Sequence, residues 1–442
     1  MSRAISMTKG SNVALHTKGI LKGIAAATAS LALLAGCAPG QSDDQEAAKE
    51  DKDKNLSYVY FTDGPDEQAT RDLIKKFEEK SGAKVDLQIV PFSDLEQTLQ
   101  QRISGDNAPD VARIDKLASF SDDLLDLNQY QKEAFDGTFN PGMDLAAMSS
   151  DARIAAPNDL TLNGPIVNVE LFKKAGVEVP TADKPWKSWD EMMEAAKKVQ
   201  KAAGTENAVA VDVSGNRFST VFSQFGTSAI TKDGKNGWDE AKLTKALTKL
   251  NEWHQDGSMP KDLFLQAGSK YKAANEIFLA GQVPVYLSGN WQVAAFAKDA
   301  TFDWAVVPNP CEDRCGGFPG GKFLVSFKGA KNPNLAAEFI AFMSEADQQK
   351  YMAEKANFMP TRQDLLEGDV KYAQRQEDME VFQKGVTETP EDAFSSAFSP
   401  AFPNTTKGII DEMAKMIDGQ ASPEDTAKAI IKATDESIAN VS

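Results

Sequence analysis

The sequence predicts an α/β protein built as two lobes, and three observations carry that expectation. From Leu56 onward, short apolar strands alternate with amphipathic helices, the pattern of parallel sheets covered by helices. About 387 residues follow that point, more than one ordinary core holds and enough for two. No repeat of solenoid length interrupts the pattern.

The elements read in order as follows. Ser57 to Phe61 is the first strand, and Pro65 opens a helix with Asp66 and Glu67 in its first turn and Leu73 and Phe77 on its buried face. Lys84 to Val90 alternates, placing Val85, Leu87 and Ile89 on one side of a second strand. Ser93 with Glu96 has the spacing of a capping box ahead of Leu95, Leu99 and Ile103. After residue 160 the grammar repeats. Ser188 and Glu191 open a helix that stops near Gly204, and Trp238 to His254 carries a Leu243, Leu247 and Leu250 stripe. Tyr271 to Ala280 stops at Gly281, Val283 to Leu287 is a strand, and Gly289-Asn290-Trp291 turns into the next helix. Ser422 before Pro423 caps a last helix with Ala427, Ile431 and Ile438 on one face. Phe394, Phe398 and Phe402 read as a core stripe broken by Pro400 and Pro403.

Ahead of these elements, residues 1–36 read as an export signal. The first 22 residues carry Arg3, Lys9, Lys18 and Lys22 and no acid, and Gly23 to Ala35 is small and apolar throughout. That run is shorter than the roughly 20 residues a spanning helix needs. It ends in Leu34-Ala35-Gly36-Cys37, which resembles a lipobox, and Cys37 is then the lipid attachment site. The polar stretch that follows has too little apolar surface to fold, so residues 37–55 are expected to form a disordered tether.

Composition narrows the partners. Loss of residues 1–36 takes the formal net charge from −17 to −21, a sign that disfavours nucleic acid and anionic lipid. Cys311 and Cys315, four apart in a Pro/Gly-flanked loop, are expected to form a local disulfide in an oxidising compartment. With His254 the one histidine of the mature chain, no metal or cofactor is expected. His254 reads as a surface or partly buried helical residue. No Gly-x-Ser-x-Gly elbow occurs. Gly316 to Lys322 fits the first seven positions of a phosphate-binding loop, but Phe323 stands where Ser or Thr must bind magnesium.

Several segments together resemble the carbohydrate-specific solute-binding proteins of ABC importers, the family that includes maltose-binding protein. They are Ala108-Pro109-Asp110-Val111, Asn168 to Gly176 with Ser188-Trp189-Asp190-Glu191, Phe278-Leu279-Ala280-Gly281, and Leu287 to Trp291. Gly320-Gly321, Lys331-Asn332-Pro333 with Ala337-Glu338-Phe339, and Met359 to Arg362 complete the set. The resemblance implies a two-lobed, type II periplasmic-binding-protein-like fold. Chain crossings are then expected near Ala156 to Asp159, Phe318 to Gly320 and Phe358 to Pro360. Residues 56–157 plus 319–357 would form the N-terminal lobe, and 158–318 plus 358–442 the C-terminal lobe. It implies a monomeric, non-catalytic receptor that takes a sugar or oligosaccharide between its lobes and docks on the transmembrane subunits of a permease.

A sugar offers hydroxyls at its rim and C–H groups on its faces, so its site needs an aromatic plate with polar partners. Trp291, behind Gly289 and Asn290, is the expected plate. Tyr60, Thr62 and Asp63 stand at the end of the first strand, the sheet edge where such folds hold ligands. Asp115 is a further hydroxyl partner or a helix cap, Arg362 a cleft donor or loop anchor, and Gly320 lies at a crossing. One departure from the family pattern is Pro165-Ile166-Val167, where many members carry tyrosines before the equivalent of Asn168. Two other readings stand beside the sugar receptor: the same fold binding a polyamine or other cation, and a surface glycan hydrolase. A lipid anchor on such a receptor places it at the outer face of the cytoplasmic membrane in a Gram-positive type of envelope. Cells fed a radioactive fatty acid should label the protein, and Cys37→Ala should abolish the label and release the protein into the medium; an unlabelled, cell-retained wild type contradicts the anchor.

Overall fold

The computed structural model describes residues 49–441 apart from 65, 136–137, 266–272 and 369, so the signal segment and Cys37 lie outside the described residues. Among the described residues there are ten strands: β1 (Asn55–Tyr60), β2 (Lys84–Ile89), β3 (Val111–Ile114), β4 (Met148–Ser149), β5 (Ala152–Arg153), β6 (Ala156–Asn168), β7 (Val209–Val211), β8 (Val285–Gly289), β9 (Trp304–Val306) and β10 (Pro319–Val325). Eight of them join in the order β2-β1-β3-β10-β6-β8-β7, with β9 also on β6; β4 and β5 form a separate hairpin. β1 pairs in parallel with β2 and β3, and β7 with β8, as strands joined through helices should.

β6 determines the architecture. Its first half, Ala156 to Leu162, pairs with β10, and its second half, Asn163 to Asn168, pairs with β8 and β9. A 13-residue strand runs about 40 Å, so one strand serves both halves of the protein, its pairing with β10 shifting register between Lys322 and Phe323. Around the first half, β1 sends Leu56, Tyr58 and Tyr60 to one face with Leu73, Phe77 and Phe339, while Val59 and Phe61 fill the other. Around the second half, Trp189, Val209, Phe222, Leu247 and Ile409 share a core. The sheet is mixed, because β10 and β6 run antiparallel to their neighbours, and it is covered on both faces.

Local chemistry explains most element ends. Ser188, Asp239 and Ser422 each accept a backbone N–H at a helix start, and Gly176 and Gly204 end helices in the left-handed conformation. Other expectations change. The helix Phe92–Ser104 starts behind Pro91 without a side-chain cap, because Glu96 is taken by Lys116 and Ser119 instead of closing a box with Ser93. β2 is an edge strand and leaves Ile89 exposed. The strand expected at Val283 to Leu287 runs Val285–Gly289, and the last helix buries Ala427, Ile430 and Thr434, with Ile431 and Ile438 at the margin. The segment resembling a phosphate loop ends in β10, an extended strand that cannot cradle phosphate.

The expected tether loses its last residues to the folded body. Asp51 accepts from the backbone N–H groups of Asn334 and Leu335 at the start of helix Pro333–Met343. Buried Asn332 accepts from the N–H groups of Lys52 and Asp53 and donates to the carbonyl of Asn55. Asp110 ties the same point to β1, accepting from Asn332 N and from both the N–H and hydroxyl of Ser57. Polar composition argues only that a segment lacks a core of its own; here its partners lie some 280 residues away.

His254 is fully buried, against expectation, with Nδ1 2.7 Å from the carbonyl of Leu250, its edge on Phe264 and Nε2 without a hydrogen-bond partner among the described residues. Burial holds the imidazole down at about 4, against an ordinary value near 6.5. Between these values the unfolded chain binds a proton that the folded chain refuses, so stability falls as pH drops from about 6.5 to 4, by roughly 3 kcal/mol. Urea unfolding of wild type and His254→Gln from pH 7 to 4.5 should show the gap between them closing or reversing as pH falls; a constant gap contradicts the assignment.

Candidate functional site

The end of β1 opens onto a cleft. Asp66, at the start of the following helix, accepts from the hydroxyl of Tyr60, from Thr62 Oγ1 (2.6 Å) and from the N–H of Asp63 (3.0 Å), while Thr62 Oγ1 also accepts from Gly64 N. Gly64 has φ +136°, a conformation open to glycine. These bonds present Asp63 outward, and they correct the expectation for Tyr60. That residue is buried, with its hydroxyl committed to Asp66, and supports the loop from behind. Thr62 is likewise spent on loop geometry.

Behind Asp63 lies Arg113, whose side chain is 0% exposed. Its Nη2 donates to Asp159 (2.8 Å) and Asp63 (2.7 Å), its Nη1 to the carbonyl of Phe61 (2.9 Å), and its guanidinium lies 4.4 Å from the Phe61 ring and 4.8 Å from that of Phe358. Lys322, on β10, places Nζ 3.3 Å from both carboxylates. Two acids thus meet two bases. Burial acts to raise the Asp63 carboxyl, but Lys322 and Arg113 outweigh it and hold that carboxyl well below the ordinary range. A general acid needs the opposite shift.

The facing wall begins at the end of β8. Asn290 accepts from Leu162 N (2.9 Å) and donates to the carbonyl of Leu160, latching β8 to β6. The indole of Trp291 lies across Gly289, where a Cβ would sit 2.0 Å from its ring. Only glycine fits there. Arg217, near the start of helix Gly215–Gln224, stacks its guanidinium 4.1 Å from the Trp291 centroid and donates to Asn163 and Asn216, each at 2.8 Å. Asp212 lies 3.8 Å from Arg217 and accepts from Tyr286 and Ser288.

Asp63, Asp159, Lys322, Trp291 and Phe358 line one small cavity, which brings both walls together. Asn290 also lines it, through a side chain already committed to β6. Asp115 is half-buried beyond β3; burial raises its carboxyl, and it does not cap the turn at Leu117–Asp123. Arg362 is an anchor, bonded to Asp364 and to the carbonyl of Ser344. Gly320 pairs with Thr161, and a Cβ there would meet Thr161 Oγ1 at 2.8 Å. Cys311 and Cys315 form the expected disulfide. Beside them lies a roomier cavity walled mainly by apolar groups, among them Leu162, Val307 and Phe382, with Asn309, Lys384 and Glu388 as its polar side chains. Among the described residues, no group of three or more His, Cys, Asp or Glu side chains suits a metal, and no helix is long and apolar enough to cross a membrane.

Arg113, Asp159, Lys322 and Arg217 escaped the sequence reading. Arg217 left a trace: a cation at a helix start, where the dipole favours acids, needs a partner elsewhere. Arg113 left another, as the one charge within the apolar strand Val-Ala-Arg-Ile.

Residues 72–380 match one protein family, described as bacterial extracellular solute-binding protein. The diacetylchitobiose binding protein DasA of Streptomyces coelicolor is 25% identical over 357 residues, covering 76% of this chain and 80% of that protein. The arabinooligosaccharide-binding protein of Bacillus subtilis is 24% identical over 357 residues, covering 75% and 78%. Among solved structures, the GacH receptor of Streptomyces glaucescens superposes with a TM-score of 0.72 at 21% identity over 88% of this chain and 99% of that one. The substrate-binding protein Lmo0181 of Listeria monocytogenes, in complex with cycloalternan, gives 0.68 at 23% identity over 88% and 97%. The fold is therefore the two-lobed architecture of those structures.

Removing one member of the charged cluster should expose its cost. Arg113→Met strands two carboxylates against one lysine and is expected to destabilise by about 3–5 kcal/mol in urea unfolding, with Arg113→Met/Asp159→Asn recovering part of the loss. Additive losses in the double variant contradict the pairing.

Proposed function

We propose, from the premise that this chain belongs to the bacterial extracellular solute-binding proteins, that it captures a sugar or oligosaccharide in the Trp291 cleft and delivers it to the permease of an ABC importer. The observation that carries the proposal is the pairing of an indole on one wall with the charged rim of Asp63 and Lys322 on the other, around one cavity. Sugar C–H faces stack on the indole, and hydroxyls bridge carboxylate and ammonium. Arg217 now lies over the indole; an entering ring displaces it sideways, toward Asp212, at the cost of a contact worth about 0.5–2 kcal/mol.

The same reading assigns residues 56–157 plus 319–357 to one lobe and 158–318 plus 358–442 to the other, hinged where β6 and β10 cross and where Met359 bridges Leu160. Members of this family work outside the cytoplasm; a lipid on Cys37, a monomeric state and a Gram-positive type of envelope complete the proposal. We read it as a receptor and not an enzyme, because all three carboxylates of the cavity are engaged, Asp63 and Asp159 by Arg113 and Lys322 and Asp66 by Tyr60 and Thr62. The polyamine reading loses ground because Arg113 and Lys322 already neutralise the Asp63 and Asp159 carboxylates a polyamine would need.

Thermal melting with diacetylchitobiose, maltotriose, arabinotriose and spermidine tests this. At a hundredfold excess over its dissociation constant a bound saccharide should add about 2.7 kcal/mol of stability. Trp291→Ala should weaken that binding roughly 10- to 100-fold. A shift with spermidine alone, or hydrolysed saccharide in the incubation, overturns the reading.

A further inference from the structure

Trp291 already carries a cation, and that cation is tied to the crossing of β6 and β10. The guanidinium of Arg217 lies 4.1 Å from the indole centroid. Arginines on aromatic rings are common. Arg217 is set apart by where its hydrogen bonds go. Nη1 donates to the side-chain carbonyls of two neutral amides, Asn163 and Asn216, while Nε has no hydrogen-bond partner among the described residues. A carboxylate, Asp212, stands 3.8 Å from Nε, fixed in place by the hydroxyls of Tyr286 and Ser288 at 2.7 Å each. An ion pair at hydrogen-bonding distance is stronger than a bond to a neutral amide, so Arg217 has a second resting place within about 1 Å of its present one.

The two amides sit where β6 changes partners. Leu162 is the last residue of β6 paired with β10, opposite Pro319, and Asn163 is the first paired with β8, opposite Gly289. Gly289 is the residue over which the Trp291 indole lies. Asn163 donates from its backbone to the carbonyl of Phe318, and from its side chain to Asn216 Oδ1 and Thr220 Oγ1. Asn216 donates to the carbonyl of Pro319, the first residue of β10. A chain of bonds therefore runs from the aromatic plate through Arg217 to both crossing strands. Moving the guanidinium to Asp212 breaks the two bonds that join the plate to that node.

Resting on the sugar-receptor reading, we infer that Arg217 is an internal competitor for the plate and sets the affinity of the receptor. Stacked on Trp291, it ties β6 to β10 and holds the unliganded form; a saccharide that takes the plate sends it to Asp212 and frees the crossing. A ligand shifts a conformational equilibrium only through its different contacts with the two states, and here the difference is the guanidinium it displaces. Arg217 is thus a positioning residue, acting through Trp291 and Asn163 and not on the sugar itself.

Isothermal titration calorimetry and small-angle X-ray scattering on the purified full-length protein test this, with diacetylchitobiose, maltotriose and arabinotriose as probes. Arg217→Ala should bind the responding saccharide roughly 2- to 30-fold more tightly than wild type, the loss of a competing cation–π contact read as affinity. Arg217→Lys, which keeps a cation without the planar fork, should fall between the two, and it decides the matter if the alanine variant does not fold. Without ligand, Arg217→Ala and Asn216→Ala should both move the radius of gyration toward that of saccharide-bound wild type. Weaker or unchanged binding by folded Arg217 variants, or unliganded radii equal to that of wild type, overturns the internal competitor while the sugar receptor stands. No heat with any saccharide, in wild type or variant, overturns both.

Discussion

Everything in this protein hangs on β6 being one strand. Its hydrogen bonds run into β10 on one side of the hinge and into β8 and β9 on the other, so neither half closes its sheet without it. The period of two then does chemical work. Asp159, Thr161 and Asn163 alternate along it: Asp159 engages Arg113 and Lys322, Thr161 lines the cavity, and Asn163 accepts from Arg217. The intervening residues Leu160 and Leu162 are core. A single segment thus sets the spacing of the polar groups on both walls, and Asn290 fastens the facing strand to its backbone.

Charge is arranged so that an acidic protein keeps a balanced cleft. The chain carries a formal −17, yet Asp63 and Asp159 face Arg113 and Lys322, and Asp212 stands beside Arg217. Net charge governs solubility and long-range steering, while the site sees local pairs. A neutral, hydroxyl-rich ligand suits such a balance better than a cation does. Away from the cleft, the Cys311–Cys315 loop is riveted by Arg314, which donates to the carbonyl of Ser223 and to Asp392.

How much of this the sequence disclosed follows from the range of the interactions. Caps at Ser188 and Ser422, the stop at Gly204 and the Trp291 turn are local, and local chemistry is readable in a sequence. Asp63 follows from the rule that ligands sit at strand ends and Trp291 from its Gly-Asn turn and the family resemblance, and both line the cavity. Tyr60 was misjudged because a strand end alternates: its neighbour's carbonyl faces Arg113 while its own hydroxyl turns to Asp66. Arg113 with Asp159, and Arg217 with Asn163, pair across 46 and 54 residues, beyond any spacing rule. Asn332 holding residues 52–55, and Glu96 turning to Lys116 in place of a capping box, failed to register for the same reason.

A ligand held in the cleft must bridge the two sides of β6. Hydrogen–deuterium exchange with a saccharide that shifts the melting point examines this directly. Amide protection should appear together in residues 61–66, 213–220 and 289–292, on both walls. Protection confined to one wall, or centred on the apolar cavity beside Cys311 and Cys315, would contradict it.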